Sequence, residues 1–318
     1  MSGIPIKIKG FDTEWVPAKG TEVWLIDCSF YFYRSFYKMP ELQFNGIGTG
    51  HIYGLGQLLM HLYKRYQKND KVVGIILFDT KATRRLELFP KYKKGKKRVQ
   101  RKKDRPTPKF WLNQELYEQM ISVVPGCYWA KEEGLEADDL IAYLIKSLVE
   151  YREVKRVNII TNDYDIIYLA NLDQRLKFYE KIGGEFDPQH RVYKKHKLDD
   201  LSLIPWFKML YGDESDNIPQ LFDKRTTKKI IAVWKEKGRM KKCHPDLHKE
   251  EVLAQLKLNK QLISHMDPNE NFCLQSSKVE HLSLVRDLQK LGLLKFMSFI
   301  LHNHLIEVSP QDMRRKFK

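Results

Sequence analysis

The sequence contains no run of about 18 apolar residues, which excludes a membrane-spanning helix. Its opening stretch, MSGIPIKIKGFDTEW, lacks the compact apolar segment of a secretion signal, so a cytoplasmic protein with no membrane partner is expected. Cysteine is scarce. Cys28, Cys127, Cys243 and Cys273 stand far apart with no C-x-x-C pair, which argues against a disulfide scaffold and for reduced thiols. Cys243, His244 and His248 lie close together, but a second ligand pair is missing. A solvated loop therefore describes them better than a zinc site. Internal repeats are absent as well.

What the chain has in excess is positive charge. Its 56 Lys and Arg against 40 Asp and Glu give a net +16 over 318 residues. A basic surface attracts polyanions, and nucleic acid is the leading partner for it. The charge is concentrated: Lys91 to Arg105, KYKKGKKRVQRKKDR, carries ten Lys or Arg against one acid, Asp104. Such a density does not collapse without an anion. The length and a hydrophobic fraction of 42% suffice for one large domain, or a main domain with an appendage.

EVWLIDC and KVVGIILFD are short runs rich in Val and Ile and read as buried parallel strands, as do CYWAKE, RVNIITND and LKFYEK further on. Between them HIYGLGQLLMHLYKRYQ, FWLNQELYEQMISVV and LEADDLIAYLIKSLVEY have helical spacing. Strand and helix alternate to about residue 195, which predicts an α/β fold: a mostly parallel sheet flanked by helices. Residues 196–318 read as a C-terminal helical subdomain, from LSLIPWFKMLYG to FMSFILHNHL.

Asp27, Asp79 and Asp163 each close a predicted strand, where open α/β sheets bind ligands. Glu136, Asp138 and Asp139 open a helix, Asp165 follows Asp163, and Asp213 and Asp216 sit in the turn YGDESDNIP. Taken singly, each has another reading: complementing a helix dipole, or forming a turn. Jointly, nine carboxylates in one cleft would raise one another's pKa unless cations compensate them. All-oxygen ligands select magnesium or manganese, and a pair of such ions suits phosphodiester hydrolysis.

These residues also make up recognisable motifs. LIDCSFYFYRSFY, FDTKATRRLELFPKYKKGKKR, LEADDLIAYL, IITNDYDIIYL and YGDESDNIP occur in one order across about residues 22–219. With them the chain resembles the flap-endonuclease and 5′–3′ exonuclease superfamily. The likeness is strongest to bacteriophage ribonuclease H-type 5′ nucleases and to the 5′-nuclease domain of bacterial DNA polymerase I. The resemblance implies a PIN-like core over residues 1–195, with a basic arch within 84–110, and a helix-hairpin-helix-like DNA-binding region over 196–318. It implies two Mg2+ ions, replaceable by Mn2+, held by Asp27, Asp79, Glu136, Asp138 and Asp139 and by Asp163, Asp165, Asp213 and Asp216. Arg85 and Lys93 would act on the scissile phosphate and Tyr92 would stack on a base. Arg34, Arg84, Lys96 and Lys97 would contact the nucleic acid.

Two departures stand out. Cys28 replaces the family's glycine after the first Asp. After Pro219 the family's hairpin glycines give way to Gln220-Leu221-Phe222-Asp223-Lys224-Arg225, which counts against a K+ site there. Lys224, Arg225, Lys228 and Lys229 are then expected to take over the contact with duplex phosphates. The implied activity is metal-dependent, structure-selective 5′ nuclease action on DNA and RNA–DNA duplexes with 5′ flaps or ends, including removal of RNA primers. A single-strand-binding protein, clamp or polymerase would be its recruiting partner, the enzyme would be a monomer, and the cytoplasm would be that of a bacterium or bacterial host. The alternative is a nucleic-acid-binding replication accessory protein of the same fold with weakened catalysis; the complete set of acids counts against it.

Overall fold

In a computed structural model, the described residues are 6–8, 14–44, 46–96, 99–100, 113–237, 243–277 and 279–306. Lys97, Arg98 and residues 101–105 of the basic segment lie outside them. Among the described residues, no helix is long and apolar enough to cross a membrane.

The chain begins with β1 (Ile6–Ile8), β2 (Glu14–Trp15) and β3 (Thr21–Asp27), followed by α1 (Cys28–Lys38). A small hairpin, β4 (Gln43–Phe44) and β5 (Ile47–Gly48), leads into α2 (Gly50–Lys68) and β6 (Val72–Leu77). Then come α3 (Thr83–Leu88), α4 (Gln114–Ser122), β7 (Cys127–Ala130), α5 (Ala137–Val149), β8 (Val154–Ile160) and the short α6 (Tyr164–Ile167). β9 (Leu176–Tyr179), β10 (Glu185–Phe186) and α7 (Pro188–His196) complete the sheet region. The remainder is α8 (Leu203–Tyr211), α9 (Lys224–Lys237), α10 (Glu250–Ile263), β11 (Cys273–Leu274), α11 (His281–Lys290) and α12 (Leu294–His302).

The main sheet has six strands in the order β10-β9-β8-β3-β6-β7, all parallel except β10 against β9. The first strand of this sheet, β3, is therefore central. The chain builds outward from it through β6 to β7, then returns to the other side for β8. The reversal places a crevice beyond the carboxyl ends of β3, β6 and β8, where such sheets bind ligands. Both faces are covered, which is why the strands read as unbroken apolar runs. Val23 and Leu25 pack with α5, α8 and α9 on one face, while Trp24 and Ile26 pack with α1, α2, α4, α11 and α12 on the other. Residues beyond 196 thus contribute to the core on both faces.

Two features depart from the expected elements. The first strand ends at Asp27 and a helix starts at Cys28, although aromatic-rich CSFYFYRSFY favours strand by composition. The Asp27 carboxylate decides it by accepting the Phe30 amide at 2.9 Å as an N-cap. A second small sheet, β11-β1-β2, ties the N-terminal strands to Cys273–Leu274 and meets the main sheet through a bridge between Trp129 and Gln275.

Candidate functional site

Asp27 projects from the end of β3 and Asp79 lies two residues past the end of β6. Thr161 donates to Asp27 Oδ2 at 3.1 Å, and the Ala137 amide donates to Asp79 Oδ1 at 2.7 Å, so the second bond pins the start of α5 to β6. Asp163 caps α6 by accepting the Asp165 amide at 2.8 Å. Asp138, in the first turn of α5, faces these acids. Burial, with Asp79 and Asp163 nearby, pushes the Asp27 carboxyl up to about 7. Burial and the charges of Asp163, Asp27 and Asp79 push Asp138 well above the carboxylate range. Among the described residues no Lys or Arg makes an ion pair with Asp27, Asp79, Asp138 or Asp163.

The other acids are balanced. Arg85, 4% exposed, donates to both oxygens of Asp139 at 2.6 Å, and Asp139 is fully buried. The same guanidinium donates to Leu262 O at 3.0 Å and Ser264 O at 3.1 Å, and the Met266 amide donates to Asp139 at 2.9 Å. Burial pushes Asp139 up, but Arg85 outweighs it and holds the carboxyl below its usual value. Lys93 pairs with Glu136 and lies 3.8 Å from Asp216. Its backbone is left-handed (φ 55°), and its amide bond to Asp216 O at 2.8 Å holds it there.

Asp165, Asp213 and Asp216 each place an oxygen within 4.8 Å of the other two. The ammonium of Lys208, from α8, lies 2.6 Å from Asp165 and 2.7 Å from Asp213. Despite it, burial and Asp163 keep Asp165 up at about 7. Asp213 is lowered to about 2, because Lys208 and the Ser215 amide and hydroxyl overcome its burial. The loop carrying Asp213 and Asp216 closes on itself, with mutual Asp213–Ile218 backbone bonds of 3.2 and 2.8 Å. Gly212 enters it at φ +80°, where a Cβ would sit 2.6 Å from Ile218 O, so only glycine fits. These acids line a cavity of about 330 Å³ with Asn162, Lys195 and Lys208.

Several expected roles change. Arg85 is buried against Asp139, where it fixes the start of α5 rather than standing open to a phosphate. Asp139 is correspondingly turned inward, since both its oxygens are spent on Arg85 and backbone amides. Tyr92 is 3% exposed and donates to Glu136 at 2.8 Å, so no face of its ring is offered to a base. Arg84 is engaged with Asp267 O and Asn269, each at 2.8 Å. Lys93 retains partial exposure beside the acids, and Lys96 is exposed. Arg34 is half-buried on α1. On α9, Lys224, Arg225 and Lys229 are exposed and Lys228 half-buried. The start of α9 is closed by Asp223, which accepts the Arg225 and Thr226 amides at 2.8 and 3.0 Å. With the glycines gone, that helix end offers a carboxylate where an anion would otherwise sit.

Two residues escaped the sequence reading. Lys208 is the single charge in the apolar helix LIPWFKMLY, and that isolation is the signal for it. Asn259 is fully buried in α10 and donates to Met209 O at 2.9 Å and Pro219 O at 2.8 Å, bracing both ends of the Asp213–Asp216 loop. Cys243 and His244 form no metal group among the described residues; His244 instead caps a short 3-10 turn, its ring nitrogen accepting the Asp246 amide.

A mostly parallel sheet flanked by helices, with acids gathered where its strand order reverses, defines a PIN-like, resolvase-like fold. A family model described as "5'-3' exonuclease, N-terminal resolvase-like domain" matches residues 22–198, and the chain belongs to that 5′–3′ exonuclease family. It is 29% identical over 202 residues to the 5′–3′ exonuclease of Buchnera aphidicola, covering 63% of this chain and 66% of that protein. It is 28% identical over 227 residues to the thermostable DNA polymerase I of Thermus filiformis, covering 70% of this chain and 25% of that one. The chain thus matches a little under two thirds of the first relative's length and a quarter of the second's. Among solved structures, the T5 D15 protein co-crystallised with metal ions aligns with a TM-score of 0.53 at 17% identity, over 90% of this chain and 100% of that one.

Proposed function

We propose that the protein is a divalent-metal-dependent, structure-selective 5′ nuclease that hydrolyses phosphodiester bonds in branched or 5′-ended duplex nucleic acid. The observation that carries this reading is the crowding of Asp27, Asp79, Asp138 and Asp163 at the sheet's reversal point without an ion pair among the described residues. An all-carboxylate donor set, in which Asp27 and Asp138 are pushed toward protonation, fits a hard divalent cation. Asp27, Asp79, Glu136 and Asp138 would hold one ion and Asp163, Asp165, Asp213 and Asp216 a second, with Asp139 acting behind them through Arg85. Mg2+ is the proposed ion, with Mn2+ able to replace it. Bound there, such ions supply charge compensation for the scissile phosphate, a water of lowered pKa and stabilisation of the leaving oxygen.

The chain's own groups do the rest. Lys93, poised between Glu136 and Asp216, exchanges a carboxylate for a phosphate oxygen as substrate arrives. Lys224, Arg225, Lys228 and Lys229 grip duplex phosphates from the outer face of α9, in the absence of the glycine hairpin. Removal of RNA primers during replication, action as a monomer, and recruitment by a polymerase, clamp or single-strand-binding protein complete the reading. The test is cleavage of a labelled 5′-flap duplex and of a nicked RNA–DNA duplex in Mg2+ and in EDTA. Metal-dependent 5′ products are expected; no product from either substrate overturns the proposal.

A further inference from the structure

A second cavity, of about 580 Å³, adjoins the acidic one and shares Asn162, Tyr164 and Lys195 with it. Its outer walls come from β10 and α7: Phe186 and Asp187 on one side, His190, Arg191 and Lys194 on the other, with Glu180 at the rim. The charges do not cancel. Glu180 is spent on an ion pair with Arg191, and Asp187 is spent capping α7, accepting the Gln189 amide at 2.9 Å. Lys194 is left in surplus and exposed, with His190 beside it, while Lys195, also exposed, stands between this cavity and Asp163, Asp165 and Asp213 of the acidic one.

The aromatic faces are already covered. The Arg191 guanidinium lies 3.6 Å from the centroid of Phe186, and the Lys195 ammonium 3.7 Å from that of Tyr164. A nucleobase would have to displace these cations, whereas a phosphate would find them held in place by the rings. Arg191 also donates to Asn162 in the shared wall, one residue before Asp163. Burial, together with the charge of Arg34 on α1, pushes the Arg191 pKa down.

From this arrangement we infer that the α7 cavity is a phosphodiester subsite. Lys194 and Lys195 hold the backbone phosphate of a nucleotide flanking the one over the carboxylates, and Arg191 and Asn162 form its fixed wall. The inference rests on the nuclease reading and names how that site selects a strand: by charge, independently of base identity.

The experiment pairs a Lys194→Ala/Lys195→Ala double variant with duplexes carrying one neutral methylphosphonate at successive positions around the scissile bond. Binding is measured in Ca2+ at several salt concentrations. The variant is expected to bind about 5- to 50-fold more weakly near 0.1 M salt, with its log–log salt slope reduced by about one to two. In the wild type, one methylphosphonate position should weaken binding by about five- to tenfold, and in the variant that same position should have no further effect. Lys197→Ala, at the C-cap of the same helix but outside the cavity, should match the wild type in both measurements. An unchanged slope in the double variant, or a methylphosphonate effect that persists in it at every position, overturns the subsite. A wild type that cuts nothing in Mg2+ overturns the nuclease reading instead, so the two failures are distinguishable.

Discussion

At the strand ends, Asp27, Asp79, Asp138 and Asp163 face one another with no Lys or Arg ion-paired to them among the described residues; a few residues away, Asp139 and Asp213 sit against cations that belong to the chain. Asp138 and Asp139 are neighbours in sequence, yet one is pushed well above the carboxylate range and the other below it. The difference is Arg85. At Asp139 the fold supplies a buried counter-ion and satisfies both oxygens; at Asp27 and Asp138 it supplies none among the described residues. Like charges crowded together cost stability, so the unbalanced set amounts to a standing demand for an external cation.

The sharpest way to break this comparison is to remove one acid from each set. Asp138→Asn should lower the cleavage rate by about a thousandfold, the equivalent of roughly 4 kcal/mol of lost transition-state stabilisation. Nucleic-acid affinity in Ca2+ should stay near normal, and the melting temperature in EDTA should hold or rise as repulsion is relieved. Normal cutting by Asp138→Asn removes it from the ligand set.

Arg85→Met acts on the balanced set. It strands a fully buried Asp139 and should cost about 3–5 kcal/mol, or about 10 °C in melting temperature for a chain of this size. Thermal unfolding followed by circular dichroism in EDTA reads this directly. A variant that melts with the wild type while losing activity would return Arg85 to the phosphate.

Lys208 stands between the two sets, since its ammonium balances Asp213 yet leaves Asp165 raised. In Lys208→Met the three converging acids lose their resident cation. The melting temperature in EDTA should fall by about 5 °C, and saturating Mg2+ should restore more stability than it gives the wild type. Equal Mg2+-induced shifts in the two proteins would show that Lys208 does not act as counter-ion.

How far the sequence reached follows the same division. The strands announced themselves because burial on both faces makes them uniformly apolar, and the acids at their ends were legible because strand ends converge in this topology. The partners of those acids were not. Arg85 lies 54 residues from Asp139, and its bidentate bond depends on α3 packing under α10, a tertiary arrangement that leaves no local pattern. Tyr92 belongs to a motif that looks accessible, yet its ring is buried where Met209, Ile218, Leu262 and Ile263 meet. The helix at Cys28 was hidden by residues of strand-like composition and was set by one capping carboxylate.

The smallest expected effect tests by pH the acids that are raised, Asp27 of the unbalanced set and Asp165 beside Lys208. Asp27 and Asp165 are both raised to about 7 in the folded chain, against about 4 when unfolded. The folded state thus binds their protons more tightly, so this contribution to stability is complete below about pH 4 and is lost as pH rises through 7. Asp213, lowered to about 2, has the opposite sign: its contribution is present above about pH 4 and lost below it. The metal-free protein should therefore be most stable near pH 4–5 as far as these groups are concerned, and its melting temperature in EDTA should fall by a few degrees between pH 5 and pH 8. Mg2+ competes with the same protons, so the stabilisation it confers should be larger at pH 8 than at pH 5. A melting temperature in EDTA that climbs across this range, with a Mg2+ shift independent of pH, would mean that the strand-end acids are already balanced.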